Sequence, residues 1–189
     1  MVDPDDLRIS DEALLRRFIA GDAAAFDRLV RRHQSAVYRY ALAVVPDGAD
    51  PEEVLCDTFQ AARRGAARFR DEPSARPWLL TLARNAAERR HPGRGRETDP
   101  TPLRELARAA GWHSRDGAGP PAGVQGLETA LSALAPEDRE VLVLREREKL
   151  GTDEAARVTG LTEAAIRTRL HRARLRLLAK LAEGGADGR

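Results

Sequence analysis

The stretch from residue 92 to residue 126 constrains the fold of this chain more than any other feature of the sequence. Pro, Gly and Arg dominate it, and its one short apolar segment lies around Leu103 to Trp112. Because such a composition does not specify packed regular structure, we interpret residues 92–126 as a flexible linker. The chain is therefore predicted to form two lobes, residues 8–91 and 127–183, each near the lower size limit for an independent core.

Both lobes are predicted to be helical. Aromatic residues make up only 4% of the chain, whereas Ala, Leu, Arg and Glu, which favour helices, abound. In the first lobe, apolar residues recur every three or four positions in four successive segments. We therefore expect an all-α protein that consists of two small helical domains, the first with four helices.

Turn and cap residues separate the helices of the first lobe. Gly21 ends the first predicted helix and Asp22 can cap the second. His33 lies on the apolar stripe of the second helix, so we interpret it as a core histidine rather than a ligand. Asp50 as the N-cap and Pro51 at the first helical position begin the third helix.

The third and fourth helices each combine an apolar stripe with a polar side. The stripe of the third helix consists of Leu55, Phe59, Ala62, Ala66 and Phe69. This arrangement predicts that four residues lie on the opposite, exposed face: Glu53, Cys56, Asp57 and Gln60. On the fourth helix, Trp78 fits a core position better than a platform for stacked bases, although both interpretations stay open.

The second lobe has the spacing of a helix-turn-helix motif. Pro136 stands at the entrance of one helix, Thr152 can cap a short second helix, Gly160 supplies a turn, and Thr162 can cap a third helix. Two amphipathic helices joined by a Gly turn also occur in ordinary bundles. The charge of the last helix favours the DNA-binding interpretation.

That last helix is rich in arginine. Ile166, Leu170, Ala173 and Leu177 form a narrow stripe that predicts a buried side. Residues 162–180 contain six basic side chains and one acid, Glu163, which gives a local charge of +5 in a chain whose net charge is only +2. Since acidic partners at helical spacing are scarce, an anion outside the helix, such as DNA phosphate, is the better explanation.

Two blocks of sequence carry a resemblance to a known family. The segments "GDAAAFDRLVRRHQSAVYRYAL", "DPEEVLCDTF" and "PWLLTLARN" resemble, in order, region 2 of the extracytoplasmic-function (ECF, group IV) sigma factors of the sigma-70 family of bacterial RNA polymerase. The segment "LSALAPEDREVLVLREREKLGTDEAARVTGLTEAAIRTRLHRARLRL" resembles their region 4. The resemblance implies that residues 8–91 form region 2, that residues 92–126 form the linker, and that residues 127–183 form region 4.

The resemblance implies an initiation factor rather than an enzyme. Region 4 would read the minus-35 box of double-stranded promoter DNA, with contacts from Thr162, Ala164, Arg167, Thr168, Arg169, His171, Arg172 and Arg174. Region 2 would bind the minus-10 box as its strands part, through Arg68, Arg70, Arg76, Trp78, Arg84, Asn85 and Arg89.

The resemblance also implies protein partners. The face formed by Glu53, Cys56, Asp57 and Gln60 would dock on the coiled coil of the largest subunit of core RNA polymerase. Further partners would be the polymerase flap and an anti-sigma factor. The residues alone support major-groove reading by the arginine-rich helix. Strand melting is implied only by the resemblance.

The sequence also bears on alternative functions and on the location of the protein. A stand-alone helix-turn-helix regulator is the main alternative, but such proteins usually dimerise on paired half-sites, and no heptad pattern follows Leu181. The four histidines are scattered and the chain has one cysteine, so we expect no catalytic site, metal or cofactor. No apolar run approaches the length of a membrane span, and the acidic start is unlike a signal peptide, which favours a cytoplasmic protein without membrane insertion.

Overall fold

The computed structural model of the chain describes residues 9–45, 50–69, 75–90, 127 and 129–186, with side chains as far as residue 181. The chain divides into two compact units, Met1–Pro100 and Thr101–Arg189, called here the N-terminal and C-terminal units. All regular structure within the described ranges is helical, which confirms the all-α prediction. The predicted linker, residues 92–126, lies outside the described residues.

Four predicted helices are found in the described part of the N-terminal unit. They are α1 (Asp11–Ile19), α2 (Ala23–Val44), α3 (Pro51–Gly65) and α4 (Ala75–Arg89), and a 3-10 turn (Ala66–Arg68) follows α3. Helix α1 packs on α2, while α2, α3 and α4 pack against one another. Helix α3 therefore has two neighbouring helices rather than one.

Side-chain caps explain where these helices begin. The Asp22 carboxylate accepts a hydrogen bond from the Ala25 amide at 3.3 Å, and the Asp50 carboxylate accepts one from the Glu52 amide at 2.8 Å. Gly21, at a φ of +103°, adopts the backbone conformation that lets α2 begin with only three residues between it and the end of α1. The predicted boundaries at Gly21, Asp22 and Asp50 are confirmed.

The predicted apolar stripes form the core of the N-terminal unit. Fully buried side chains from all four helices meet there, among them Leu14, Leu15, Leu29, Val37, Tyr40, Phe59, Leu79 and Ala83. Leu55, Ala62, Ala66 and Phe69 are also buried, as the stripe of α3 predicts. Ile19, at the last position of α1, is exposed.

A buried histidine ties α1 to α2. The His33 Nε2 atom lies 2.7 Å from the Asp11 Oδ2 atom, and the Arg32 guanidinium donates to the other Asp11 oxygen at 2.7 Å. Burial alone would raise the pKa of Asp11, but the hydrogen bonds and charges of His33 and Arg32 hold it below its usual value. His33 is a core residue that binds a carboxylate, which confirms its interpretation.

Replacement of Asp11 by asparagine is expected to lower the free energy of unfolding by about 1 to 2 kcal/mol at neutral pH, because charge-assisted hydrogen bonds are lost. Since the pKa of Asp11 is lowered in the folded state, its stabilisation is present above the unfolded-state pKa and is lost as the pH falls through the folded-state pKa. The difference from the unmodified chain should therefore shrink in acid.

Urea unfolding at a series of pH values measures this difference. The matched control is Glu12→Gln, which removes a neighbouring carboxylate whose ion pair with Arg16 is exposed. That variant should change the free energy of unfolding by less than about 0.5 kcal/mol. An acid-independent loss for Asp11→Asn would contradict the prediction.

Residues 129–132 of the C-terminal unit are helical, and three further helices follow them in its described part. They are α5 (Pro136–Leu142), which continues through a π turn (Val143–Arg147), α6 (Thr152–Thr159) and α7 (Glu163–Ala186). Helix α7 packs on both α5 and α6. The core of the C-terminal unit includes Leu134, Val141, Leu142, Leu144, Leu150, Ala155, Val158, Ile166, Leu170 and Ala173.

The turn between α6 and α7 has the predicted chemistry, but the start of α6 differs from the prediction. Gly160 adopts the left-handed conformation at a φ of +72°, and the Thr162 hydroxyl accepts a hydrogen bond from the Ala165 amide at 3.2 Å. The predicted Thr152 cap is wrong, because Thr152 is already the first helical residue. The Glu154 carboxylate instead accepts a hydrogen bond from the Gly151 amide at 2.7 Å.

Lys149 occupies a strained backbone position before α6, since its φ is +57° and lysine disfavours this region. We expect Lys149→Gly to raise the free energy of unfolding of the C-terminal unit by about 1 kcal/mol. Urea unfolding followed by circular dichroism measures the change. Gly160→Ala is the matched control, because open space surrounds its Cβ position and only backbone strain is added. If Gly160→Ala does not destabilise the unit, the strain argument is wrong.

Candidate nucleic-acid interface

Helix α7 buries one side and exposes the other. Ile166, Leu170 and Ala173 are buried against α5 and α6, and Leu177 is half-buried. The predicted stripe is thus confirmed along its first three positions. Contact on one side only leaves the opposite side of the helix open to a ligand in solvent.

The predicted minus-35 residues lie on the open side of this helix or at its start. Seven of the eight are exposed, and the eighth, Arg169, is half-buried: the exposed ones are Thr162, Ala164, Arg167, Thr168, His171, Arg172 and Arg174. The N-terminal half of α7 follows the turn at Gly160. Since these side chains are exposed, it presents hydrogen-bond donors outward. This is the arrangement that major-groove reading requires.

Acids both within and before α7 pair with its arginines. Within α7, the Glu163 carboxylate lies 3.2 Å from the Arg167 guanidinium. Arg174 donates to Glu146, with a 3.1 Å bond from its Nε atom, and Arg176 donates to Asp138. Glu146 and Asp138 precede their partners by 28 and 38 residues, so a search at helical spacing within α7 could not find them.

The electrostatics of α7 therefore vary along its length. The hydrogen bond from Arg174 lowers the pKa of Glu146, although burial opposes the change. In contrast, no carboxylate of the described residues pairs with Arg169 or Arg172. Uncompensated positive charge is concentrated in the middle of the helix.

Most predicted minus-10 residues belong to the 3-10 turn and α4. Arg68, Asn85 and Arg89 are exposed, whereas Arg76, Trp78 and Arg84 are half-buried. Arg84 pairs with Glu88 at 2.9 Å on the surface of α4. Arg70 lies outside the described residues.

Trp78 is held by an aromatic neighbour. Its ring centroid lies 5.0 Å from that of Phe69, at an interplanar angle of 54°. A Cβ atom at Gly65 would lie 3.6 Å from the same indole, which is an ordinary van der Waals distance, so the ring also lies beside the end of α3. Trp78 is thus both a packing residue and a partly accessible ring, and a stacking role stays a prediction.

The predicted exposure of the α3 face, defined as Glu53, Cys56, Asp57 and Gln60, is wrong. Cys56 and Asp57 are buried, while Glu53 and Gln60 are half-buried. A single apolar stripe predicts one covered side, but α3 is covered by α2 and α4 together.

Arg90, directly after α4, closes the α3 face. Its Nε atom donates to Asp57 at 2.8 Å and its Nη1 atom donates to Glu53. Burial would lower the pKa of Arg90, but the hydrogen bond and charge of Asp57, together with Glu53 and Asp50, raise it. Helical periodicity could not place Arg90 on this face, because Arg90 lies 33 residues from Asp57 in the sequence.

The described residues offer no metal site of at least three His, Cys, Asp or Glu side chains. Over the same part of the chain, no helix combines the length and the apolar character needed to cross a membrane. Helix α7 does expose three large apolar side chains on its later turns, Leu175, Leu178 and Leu181.

Comparison with known proteins gives matches over both units. The family model described as sigma-70 region 2 matches residues 29–97, and the one described as sigma-70, region 4 matches residues 125–177. The chain is 31% identical over 169 residues to the ECF RNA polymerase sigma factor SigM of Mycobacterium tuberculosis, an alignment that spans 89% of this chain and 83% of that protein. It is 33% identical over 170 residues to the RNA polymerase sigma factor CarQ of Myxococcus xanthus, spanning 84% and 90%.

A solved structure agrees with the same assignment. The structure of CnrH in complex with the cytosolic domain of CnrY superposes with a TM-score of 0.64 at 29% sequence identity. The superposition covers 92% of this chain and 97% of CnrH. The helical fold and its order along the chain are therefore shared with this protein.

Proposed function

Because the chain belongs to the extracytoplasmic-function sigma factors of the sigma-70 family, we propose that it binds core RNA polymerase and directs transcription initiation at specific promoters. It would act as an initiation factor and not as an enzyme. Its place of action would be the cytoplasm, where the polymerase works.

Recognition of the minus-35 box by α7 is the step that the geometry supports best. The single observation that carries it is an arginine-rich helix, placed after a left-handed Gly turn, that buries one apolar side and exposes the other. Arg167, Thr168 and His171 would face base edges, while Arg169 and Arg172 would bind phosphates on the flanks. Thr162, Ala164 and Arg174 complete the proposed contact.

Binding of the minus-10 box is proposed for the 3-10 turn and α4. The exposed side chains of Arg68, Asn85 and Arg89 support contacts with phosphates and base edges of a parted strand. The partly accessible ring of Trp78 supports stacking of one base. Arg70, Arg76 and Arg84 would add positive charge along the same path.

Docking on core polymerase is proposed for the α3 face together with Arg90. Glu53 and Gln60 supply its accessible atoms, whereas Cys56 and Asp57 support it from below. Its partner would be the coiled coil of the largest subunit. The exposed leucines of α7 support a second, apolar contact with the polymerase flap.

A regulatory protein partner is also proposed. CnrH is 29% identical in sequence to this chain, and its structure was solved in complex with the cytosolic domain of CnrY. Exposed basic helices bind nucleic acid without selectivity. An anti-sigma factor that covers α7 would prevent such binding until the chain joins the polymerase.

Run-off transcription from genomic fragments tests the proposed function. Purified core polymerase is supplied with the full chain or with buffer, and discrete transcripts are expected only when the chain is present. The stand-alone regulator is the competing outcome: tight binding to palindromic DNA without polymerase, and no new transcripts, would overturn the proposal.

A further inference from the structure

Two arginines in the later turns of α7 are held by acids of α5 and of the π turn that continues it. Arg174 donates two hydrogen bonds to the same Glu146 oxygen, and Arg176 donates to Asp138. The two pairs differ in accessibility. The Glu146 side chain is 44% exposed and that of Arg174 is 55% exposed, whereas the Asp138 side chain is only 8% exposed.

This difference separates a structural pair from a competing one. Asp138 is part of the buried surface between α5 and α7, so its loss would disturb packing. Glu146 lies at the rim, where both it and Arg174 are open to water and to a large anion. A DNA phosphate can reach Arg174, but it must compete with a carboxylate that is already bound.

We infer that Glu146 is a specificity-determining residue of the C-terminal unit, because it withholds Arg174 from the phosphates of non-promoter DNA. The inference rests on the proposed function of α7 as a DNA-binding helix. Base contacts fix the position of α7 on its promoter. Arg174 can therefore reach only one set of phosphates there. On other DNA the helix is free to seek more phosphate contacts, and an unrestrained Arg174 adds one.

The consequence is that Glu146 weakens unwanted binding more than wanted binding. Non-specific affinity comes almost entirely from cations that release counterions from the phosphates. An intramolecular acid that occupies one cation lowers this affinity without touching a base-reading side chain. Discrimination of this kind works by penalising the wrong ligand.

Glu146→Gln, compared with Glu137→Gln, tests the inference. Both variants remove one negative charge from the same region, but Glu137 is exposed and pairs with no cation within the described residues. Binding of the full chain to a non-promoter duplex is measured over a range of salt concentrations. Glu146→Gln should bind about threefold to tenfold more tightly at low salt and steepen the salt dependence by about one unit, whereas Glu137→Gln should do neither.

A double variant makes the assignment to Arg174 explicit. The gain in Glu146→Gln should disappear when Arg174→Ala is added, and thermal unfolding of each variant verifies that all are folded at the temperature of the assay. Equal gains in Glu146→Gln and Glu137→Gln would show a general charge effect and overturn the inference. Unchanged or weakened binding by Glu146→Gln would overturn it as well.

The polymerase assay separates this inference from the function on which it rests. With core polymerase and an excess of non-promoter duplex, Glu146→Gln should yield fewer promoter transcripts than the unmodified chain. If the unmodified chain directs no transcripts, the proposed function fails. If it directs them and both chains respond equally to the competitor, only the role of Glu146 fails.

Discussion

Arg90→Ala is expected to lower the free energy of unfolding of the N-terminal unit by about 3 kcal/mol, because it leaves a buried carboxylate without a cation. The Asp57 side chain is only 10% exposed and receives a hydrogen bond from Arg90 at 2.8 Å. Glu53 loses the same partner. Urea unfolding of the full chain, followed by circular dichroism, measures the loss.

Arg89→Ala is the matched control for this variant. Arg89 precedes Arg90 directly, is exposed, and has no acidic partner within the described ranges. Its replacement should change the free energy of unfolding by no more than about 0.5 kcal/mol. If the two variants have equal stability, the contact between Arg90 and the α3 face contributes nothing and its proposed place in the docking surface is lost.

Arg167→Ala is expected to weaken promoter binding by about 1 to 3 kcal/mol, and only when the minus-35 box is intact. Arg167 lies on the exposed side of α7, one turn after its beginning. Arg172→Ala, on the flank of the same helix, should weaken binding to all DNA alike and reduce the salt dependence by about one unit. Each residue thus controls for the other.

Holoenzyme binding to a promoter fragment and to the same fragment with a scrambled minus-35 box provides the measurement. Arg167→Ala should reduce the ratio of the two affinities, whereas Arg172→Ala should leave the ratio unchanged. If both variants lower both affinities equally, α7 does not use Arg167 to read bases. The proposed division between base and phosphate contacts would then be wrong.

Local patterns were sufficient to predict the helices and most of the core. The boundaries at Gly21, Asp22, Asp50 and Gly160 depend on cap and turn chemistry within a few residues, so the sequence contains all the required information. The apolar periodicity of α2 and α7 likewise identifies the sides that pack, because each of these stripes faces the core of its own unit.

Features that depend on distant parts of the chain could not be predicted in this way. The wheel of α3 shows one apolar stripe, yet Cys56 and Asp57 are buried because α4 and Arg90 cover a side that looks polar. Similarly, the acids that pair with Arg174 and Arg176 belong to the region around α5. Polar contacts between helices require knowledge of which helices are neighbours, and periodicity alone does not provide it.

The burial of Cys56 has a practical consequence. It is the one cysteine of the chain, and its side chain lies beneath the surface of the N-terminal unit. A thiol reagent added to the folded chain will therefore modify it only when this unit opens. The modification rate reports the opening of one unit while the other, which lacks a thiol, stays silent, so the chain carries its own site-specific probe of local unfolding.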